Sequence, residues 1–319
     1  MSETISAVEA ANKVLSSVTP ARVASGVPWP RITLVTAVYN GESYLEDTIR
    51  SILGQGYPNL EYIIVNDGST DGTEDIIRKY EAHLAWWTSQ PNGGLYAALN
   101  TGFARATGEV LGWLNSSDKL HTNGLFVVGS VFSTFPQVEW ITGRPTVFSD
   151  DGMTVELQDL RRWSRFRFLA GNNRHIQQES TFWRRDLWDR AGGALSTAYR
   201  AEGDFELWTR FFRHAQLYSV DALIGGWRFH PNSLSHHNVD RYNQGCDSIV
   251  LQELHSMQNY PGLTTFTALN RAMQRVPKLR TIWRRLVSDN WLWALGHVHG
   301  SDWPPVIRYR GDRWMLEKK

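Results

Sequence analysis

Three aspartates sit where regular elements end or begin. Asp67 follows the apolar run Tyr62-Ile63-Ile64-Val65, within Asn66-Asp67-Gly68-Ser69. Asp118 follows Val110-Leu111-Gly112-Trp113-Leu114, within Asn115-Ser116-Ser117-Asp118, and Asp204 opens a helical stretch. In an open α/β sheet, ligands gather outside the carboxyl ends of the strands, where loops converge. An acid closing the second strand can accept an N–H from a uracil or guanine base. One closing the fourth can hold a divalent cation against a diphosphate. No GxGxxG follows the first strand and no GxxxxGK[ST] occurs anywhere, which argues against dinucleotide and P-loop phosphate sites. The plain alternatives are a turn with a helix cap at Asp67, a strand-to-helix turn at Asp118 and an N-cap at Asp204.

The elements that must carry these residues are readable from periodicity. Ile32 to Val38 is a β-branched apolar run of buried-strand type, and Ser43 to Leu53 has helical spacing at Tyr44, Leu45, Ile49, Ile52 and Leu53. The strand at 62–65 is followed by a helix capped by Asp71 and running through Tyr80. Next come a short strand at Trp86–Thr88, the loop Gln90 to Gly94, a helix from Leu95 to Ala106 and the strand at 110–114. Strand alternating with helix at this pitch is the rhythm of a parallel sheet. Beyond about residue 139 the spacing predicts short strands at Trp140–Thr142 and Pro145–Phe148 with an Asp150-Asp151-Gly152 turn. A helix at Asp204–His214 and a strand at Leu217–Val220 follow, then an almost wholly helical segment from Val239 onward.

The composition sets outer bounds. Of 319 residues, 42% are hydrophobic and 20% charged, as in an ordinary globular protein. Lys and Arg number 33 against 32 acids, so no global basic field exists to hold nucleic acid. The single cysteine, Cys246, excludes a disulfide framework and fits a reducing compartment. The first residues carry acids and no uninterrupted apolar run, unlike a signal peptide, and no stretch reaches the ~18–20 apolar residues of a membrane span. A cytoplasmic location is the expectation. Residues 271–319 hold 11 Lys/Arg against 4 Asp/Glu, making the tail basic on a mildly acidic body. The 15 Trp invite sugar stacking, but most are expected in the core, Trp113 above all.

The segments TAVYNGESYLEDTIRSILGQGYPNLEYIIVNDGSTDGT, PNGGLYAALNTGFARATGEVLGWLNSSD and GDFELWTR resemble the inverting glycosyltransferases of family 2 in order and spacing. The resemblance covers about residues 31–235. It implies a GT-A (Rossmann-like) nucleotide-diphospho-sugar transferase fold, a sugar-nucleotide donor and a Mg²⁺ or Mn²⁺ cofactor. By the same resemblance, Thr36, Val38, Tyr39, Asn40 and Glu42 lie beside the nucleoside, Asp67 reads the base and Ser69 adjoins it. Asn92, Gly94 and Asn100 approach the ribose and diphosphate. Asn115 and Ser116 are donor-binding residues in the turn that carries the metal motif, where Ser117 replaces a carboxylate and leaves Asp118 as the sole acid. Asp204 matches the catalytic base, with Gly203 in place of the commonest acidic neighbour. Gln178, Glu179 and Trp183 resemble a block near the acceptor pocket, the alternative being an edge strand with exposed polar residues. His230, in Trp227-Arg228-Phe229-His230, is a second metal or phosphate candidate, although a lone histidine is more often structural.

These readings divide the chain into an N-terminal arm (1–29), a catalytic domain (30–238) and a helical, basic, Trp-rich C-terminal extension (239–319). The catalytic domain splits into a nucleotide-sugar half (30–118) and an acceptor half (119–238). The expected activity is transfer of a sugar, with inversion, from a nucleotide donor (UDP first, GDP or dTDP as alternatives) to a carbohydrate or lipid-linked acceptor, in cell-surface polysaccharide synthesis. The rival is a non-catalytic sugar-nucleotide or glycan-binding module, motivated by Ser117. The C-terminal helices are expected either to touch a membrane peripherally or to pack on the domain or a second subunit.

Overall fold

Ile32–Val38 (β1) is buried along its whole length, because an apolar β-branched run has no polar face to turn outward. A computed structural model describes residues 28–170, 175–230, 239–256 and 303–318, with positions 269, 272, 273, 276 and 283. After β1 the chain forms α1 (Leu45–Leu53), β2 (Leu60–Asn66), α2 (Thr73–Tyr80), β3 (Trp86–Ser89), α3 (Leu95–Phe103) and β4 (Val110–Trp113). Leu45, Thr48, Ile49 and Ile52 make the buried stripe of α1, at helical spacing. The second part contains β5 (Lys119–Leu120), α4 (Gly124–Thr134), β6 (Trp140–Thr142), β7 (Thr146–Phe148), β8 (Thr154–Leu157) and α5 (Arg165–Leu169). It continues with β9 (Thr181–Arg184), α6 (Arg185–Arg190), α7 (Gly203–His214), β10 (Leu217–Ser219), β11 (Gly225–Arg228) and α8 (Val239–Ser256). The described chain ends with β12 (Val306–Arg310) and β13 (Arg313–Glu317).

The main sheet has the order β10-β6-β9-β4-β1-β2-β3. All its pairings are parallel except those of β9, which runs antiparallel to both β4 and β6. Strand order reverses between β1 and β4, the point where an open sheet leaves a crevice at its carboxyl edge. A second sheet, β5-β11-β7-β8, stands beside the end of β4.

Aromatic residues fill the layer between the main sheet and α7. Trp113 of β4 stacks on Trp208 of α7 at 5.6 Å and 9°, and Trp140 and Trp183 close on the same indole. The mixture of offset stacks and edge contacts is the arrangement that ring quadrupoles favour. Trp113 is core, as its strand position implied.

Three features differ from the sequence reading. The Gln177–Arg185 segment is no edge strand: β9 is interior, between β6 and β4, with Trp183 in the aromatic layer on one face and Phe182 in the largely aliphatic core on the other. The turn at Asp150–Gly152 joins β7 to β8, a strand too polar to stand out in the sequence. Residues 306–317 form a hairpin rather than helix. Gly311 and Asp312 take φ of +50° and +70°, the two-residue turn that suits strand twist, and Tyr309 packs edge-on against Trp314 across it. The arm at 1–27 and most of the basic tail, including the amphipathic stretch from Lys278 to Ala294, lie outside the described residues. Among the described residues no helix is long and apolar enough to cross a membrane.

Candidate active site

The carboxyl ends of β1, β2 and β3 are tied together by short polar side chains. Asn40, at φ +50°, accepts the Thr70 N–H through Oδ1 (2.9 Å), and its own N–H donates to Ser69 Oγ (2.8 Å). Ser69 in turn donates to Asn66 Oδ1 (2.5 Å). Glu42 accepts the Gly72 N–H (3.1 Å) at the start of α2. Asp67 receives three consecutive backbone N–H groups: Asn92 and Gly93 (3.1 Å) on Oδ1, and Gly94 (2.8 Å) on Oδ2. Gly93 and Gly94 have φ of +92° and +107°, which lets successive N–H groups converge on one anion. Tyr39, 62% exposed, stands over this rim.

Several residues assigned to the donor do other work. Thr36 and Val38 point into the core, because β1 is buried on both faces, and Thr36 Oγ1 accepts from Tyr62 (3.1 Å). Asn100 spends both ends of its amide on Leu195, donating to its oxygen and accepting its N–H (2.8 Å each). It is a clamp for the loop before α7 rather than a ribose contact. Asn92 donates to Gln90 O (2.6 Å) and receives Thr101 Oγ1 (3.3 Å), which shapes the loop.

The turn after β4 holds the second cluster. Asp118 is only 1% exposed; Oδ1 accepts the Arg228 backbone N–H (2.9 Å) and Oδ2 accepts Asn115 Nδ2 (3.0 Å). Gln178 braces the same turn, donating to Trp113 O and accepting from Asn115 (3.3 Å). Glu179 lies beneath it, hydrogen-bonded to the Asp118 carboxyl. Burial pushes the Asp118 pKa up to about 6, against the pull of the Arg228 N–H, Asn115 and Glu179. Burial and the charge of Asp118 drive Glu179 well above the carboxylate range, so Glu179 is the protonated partner and donates to Asp118. Gln178, Glu179 and Trp183 therefore form the floor under the site. Trp183 is fully buried among Phe103, Trp113, Trp188 and Trp208, and so offers an acceptor no surface.

His230 is buried two residues beyond Arg228. Its ring packs on Tyr44 (4.7 Å), and its Nδ1 has no hydrogen-bond partner. Arg228, which the sequence reading passed over, lies over the same tyrosine and pairs with Asp47, as does Lys119 (3.0 Å). Tyr44 donates to Asp150 (2.5 Å), tying the β7–β8 turn to the start of α1. The run Trp227-Arg228-Phe229-His230 was the available signal for Arg228; nothing local marked Tyr44, Asp47 or Lys119.

Asp204 occupies the first turn of α7, where Oδ1 accepts the Phe205 N–H (2.7 Å). Gly203 before it is required by space: a Cβ there would stand 2.6 Å from the Tyr96 ring, whose hydroxyl accepts the Gly203 N–H (2.9 Å). Burial raises the Asp204 pKa to about 7; N–H groups and the Tyr242 hydroxyl act downward and the nearby Glu202 acts upward. The charges of both Asp118 and Asp204 help to raise Glu179, so the β4 turn and the start of α7 share one electrostatic neighbourhood.

Among the described residues, no three His, Cys, Asp or Glu side chains gather as a metal cage. What the chain offers a divalent ion is the Asp118 carboxylate, already accepting on both oxygens, and the unpartnered Nδ1 of His230. That set fits an ion held chiefly by a diphosphate and water, and does not fit a protein-only site.

Residues 33–126 match the profile of the family described as Glycosyl transferase family 2. TuaG, a glycosyltransferase of Bacillus subtilis (strain 168) named for teichuronic acid biosynthesis, is 35% identical over 135 residues, 41% of this chain and 49% of that protein. The chain thus spans about half the length of this relative. A crystal structure of S. aureus TarS 1-349 in complex with UDP-GlcNAc superposes with TM-score 0.57 at 15% identity, covering 91% of this chain and 97% of that one. The mannosyltransferase PcManGT from Pyrobaculum calidifontis, in complex with GDP-Man and Mn²⁺, gives 0.51 at 16% identity, covering 93% and 98%. At these identities the two structures establish a shared fold.

Proposed function

We propose that this protein transfers a sugar from a UDP-sugar to a hydroxyl of a carbohydrate or lipid-linked acceptor, inverting the anomeric centre; the match of residues 33–126 to the Glycosyl transferase family 2 profile and the sheet shared with solved transferases support this reading. The observation that carries this reading is Asp204: a buried carboxyl in the first turn of α7 whose pKa burial raises to about 7. A general base works best when its pKa lies near the operating pH. In a single displacement the acceptor oxygen bonds the anomeric carbon, the bond to the diphosphate oxygen breaks, and the hydroxyl proton passes to Asp204. No protein nucleophile is needed.

Each remaining residue has a defined task in this reading. The Asn40–Ser69 and Asp67–Gly94 networks shape the nucleoside rim, and Asp67 has lone pairs left for a base N–H. Asp118 and His230 would hold Mg²⁺ or Mn²⁺ together with the donor; such an ion neutralises charge that develops on the leaving diphosphate. Cell-surface polysaccharide synthesis is the proposed setting, at the cytoplasmic side of the membrane; the relative TuaG is named for teichuronic acid biosynthesis.

The test is UDP release from a panel of UDP-sugars with Mg²⁺ or Mn²⁺, with and without glycan acceptors. Wild type should release UDP, and Asp204→Asn should lower the rate about 10²–10⁴-fold with donor affinity nearly unchanged. UDP binding without any turnover would instead favour the glycan- or nucleotide-binding module, the reading that Ser117 motivates.

A further inference from the structure

The Asp118 carboxylate stands at the end of a chain of side-chain amides that begins on the main sheet. At the end of β4 the Trp113 carbonyl oxygen accepts Gln178 Nε2. Gln178 Oε1 accepts Asn115 Nδ2 (3.3 Å), and the same nitrogen donates to Asp118 Oδ2 (3.0 Å). We infer that Gln178 is a positioning residue for the cation site: through Asn115 it fixes the direction of the Asp118 carboxylate for a diphosphate-bound Mg²⁺ or Mn²⁺. This inference rests on Asp118 being the carboxylate that meets the ion.

The order of donors and acceptors leaves one arrangement. A backbone carbonyl only accepts, so the Gln178 atom facing Trp113 O is the NH₂ group, and the amide oxygen is turned to Asn115. That oxygen also only accepts, which directs the Asn115 NH₂ group inward, and its second hydrogen reaches the carboxylate. With Asn115 turned over, its Oδ1 would face Gln178 Oε1 and Asp118 Oδ2, lone pairs against lone pairs. Asp118 thus receives one donor on each oxygen, Asn115 on Oδ2 and the Arg228 N–H on Oδ1 (2.9 Å). A carboxylate bonded in this way is oriented before any ion arrives.

Gln178 itself has little freedom. It is buried in the short 3₁₀ turn Gln178–Ser180 ahead of β9. Gln177 before it uses both ends of its amide on Thr146 of β7, donating to the oxygen (2.6 Å) and accepting the N–H (2.9 Å). A Cβ on Gly225 of β11 would stand 2.2 Å from Glu179 O, so β11 lies against this turn as closely as a glycine permits. The path of the Asp118 turn is held separately, from α1: the Thr48 hydroxyl donates to Ser116 O (2.9 Å) and Asp118 O (2.8 Å). Replacing Gln178 therefore releases the direction of the carboxylate and leaves the backbone of its turn anchored.

Calorimetry of UDP binding, with saturating Mn²⁺ and with none, measures how far the ion tightens the nucleotide. Wild type, Gln178→Met and Asp118→Ala are compared, with thermal melting as a check on folding. Methionine cannot donate to Trp113 O, and its sulfur is a poor acceptor for Asn115. Gln178→Met should lower Mn²⁺-dependent UDP affinity by about tenfold or more, as expected when a partner that orients a metal ligand is lost, with metal-free UDP affinity unchanged. Wild-type coupling in Gln178→Met would overturn the role. So would an equal loss with and without Mn²⁺, the mark of a residue that only supports the fold. Asp118→Ala separates the two levels. If it keeps the coupling, or if wild type shows none, the assignment of the ion to Asp118 fails. If it loses the coupling while Gln178→Met keeps it, only the role of Gln178 fails. Should Gln178→Met melt well below wild type, Gln178→Asn decides, since it keeps a buried amide but draws it back by one methylene. Reduced coupling in Gln178→Asn supports the assignment, and unreduced coupling counts against it.

Discussion

Asp118 shows how one substitution redistributes a site. With Asn115, Ser116 and Ser117 before it, the turn after β4 has a single carboxylate, and two neighbouring donors already occupy it. A divalent ion should therefore bind weakly alone and tightly once a diphosphate supplies oxygen ligands. Calorimetry of Mn²⁺ with and without UDP measures that coupling. Asp118→Ala should abolish it, whereas Ser117→Asp should strengthen metal binding without nucleotide. If Asp118→Ala keeps metal-dependent UDP binding undiminished, the ion is held elsewhere, with His230 the next residue to replace.

Among the elements, α8 and α7 behave as one unit. Glu253 is buried, and its two arginines come from α5 and α7. Removing one partner of a buried ion pair leaves uncompensated charge, a loss of about 3 kcal/mol where the partners are partly exposed as here. Glu253→Ala should lower the urea midpoint accordingly. It should also reduce turnover, because α8 packs against the start of α7, where Asp204 stands. A stable, fully active Glu253→Ala would mean that packing by Cys246, Ile249, Val250 and Leu254 is sufficient to seat α8.

The whole molecule stores acids in protonated form, with consequences for its stability curve. Asp204 and Asp118 have folded pKa values of about 7 and about 6, and Glu179 is raised further, all above their unfolded values. The folded state therefore binds more protons than the unfolded one between about pH 4 and pH 7. The stabilising contribution of these groups is complete below the unfolded pKa and is lost as pH rises through the folded ones. Paired acids with lowered pKa values, such as Asp221 between Arg144 and Arg308, act oppositely and lose their contribution in acid. These three acids should thus pull the melting temperature down from pH 5 to pH 8, against His121, His214 and His230, whose lowered pKa values act the other way, while activity climbs through pH 7 as Asp204 ionises. Asp204→Asn should flatten part of that decline and melt higher than wild type at pH 8, the trade between stability and function expected at an active site. Melting curves for both proteins across that range check the sign; a variant no more stable at pH 8 would contradict it.

Alternation of buried strands with amphipathic helices over residues 32–114 was legible from periodicity, since each element buries one face of its own pattern. So were the strand-end positions of Asp67 and Asp118 and the helix start at Asp204, because turns and caps have local chemistry. The burial of Trp183, the clamp formed by Asn100 on Leu195 and the interior place of β9 depend on partners far along the chain, up to 95 residues away for Asn100, which no local window contains. The ionisation of Asp204 is likewise tertiary: its carboxyl is raised by burial, and Tyr242, 38 positions later, returns part of that shift. Sequence spacing chose which residues stand at the strand ends. Packing decided which of them remain available for chemistry, since a side chain whose donors and acceptors are already paired in the folded core has little left to offer a ligand.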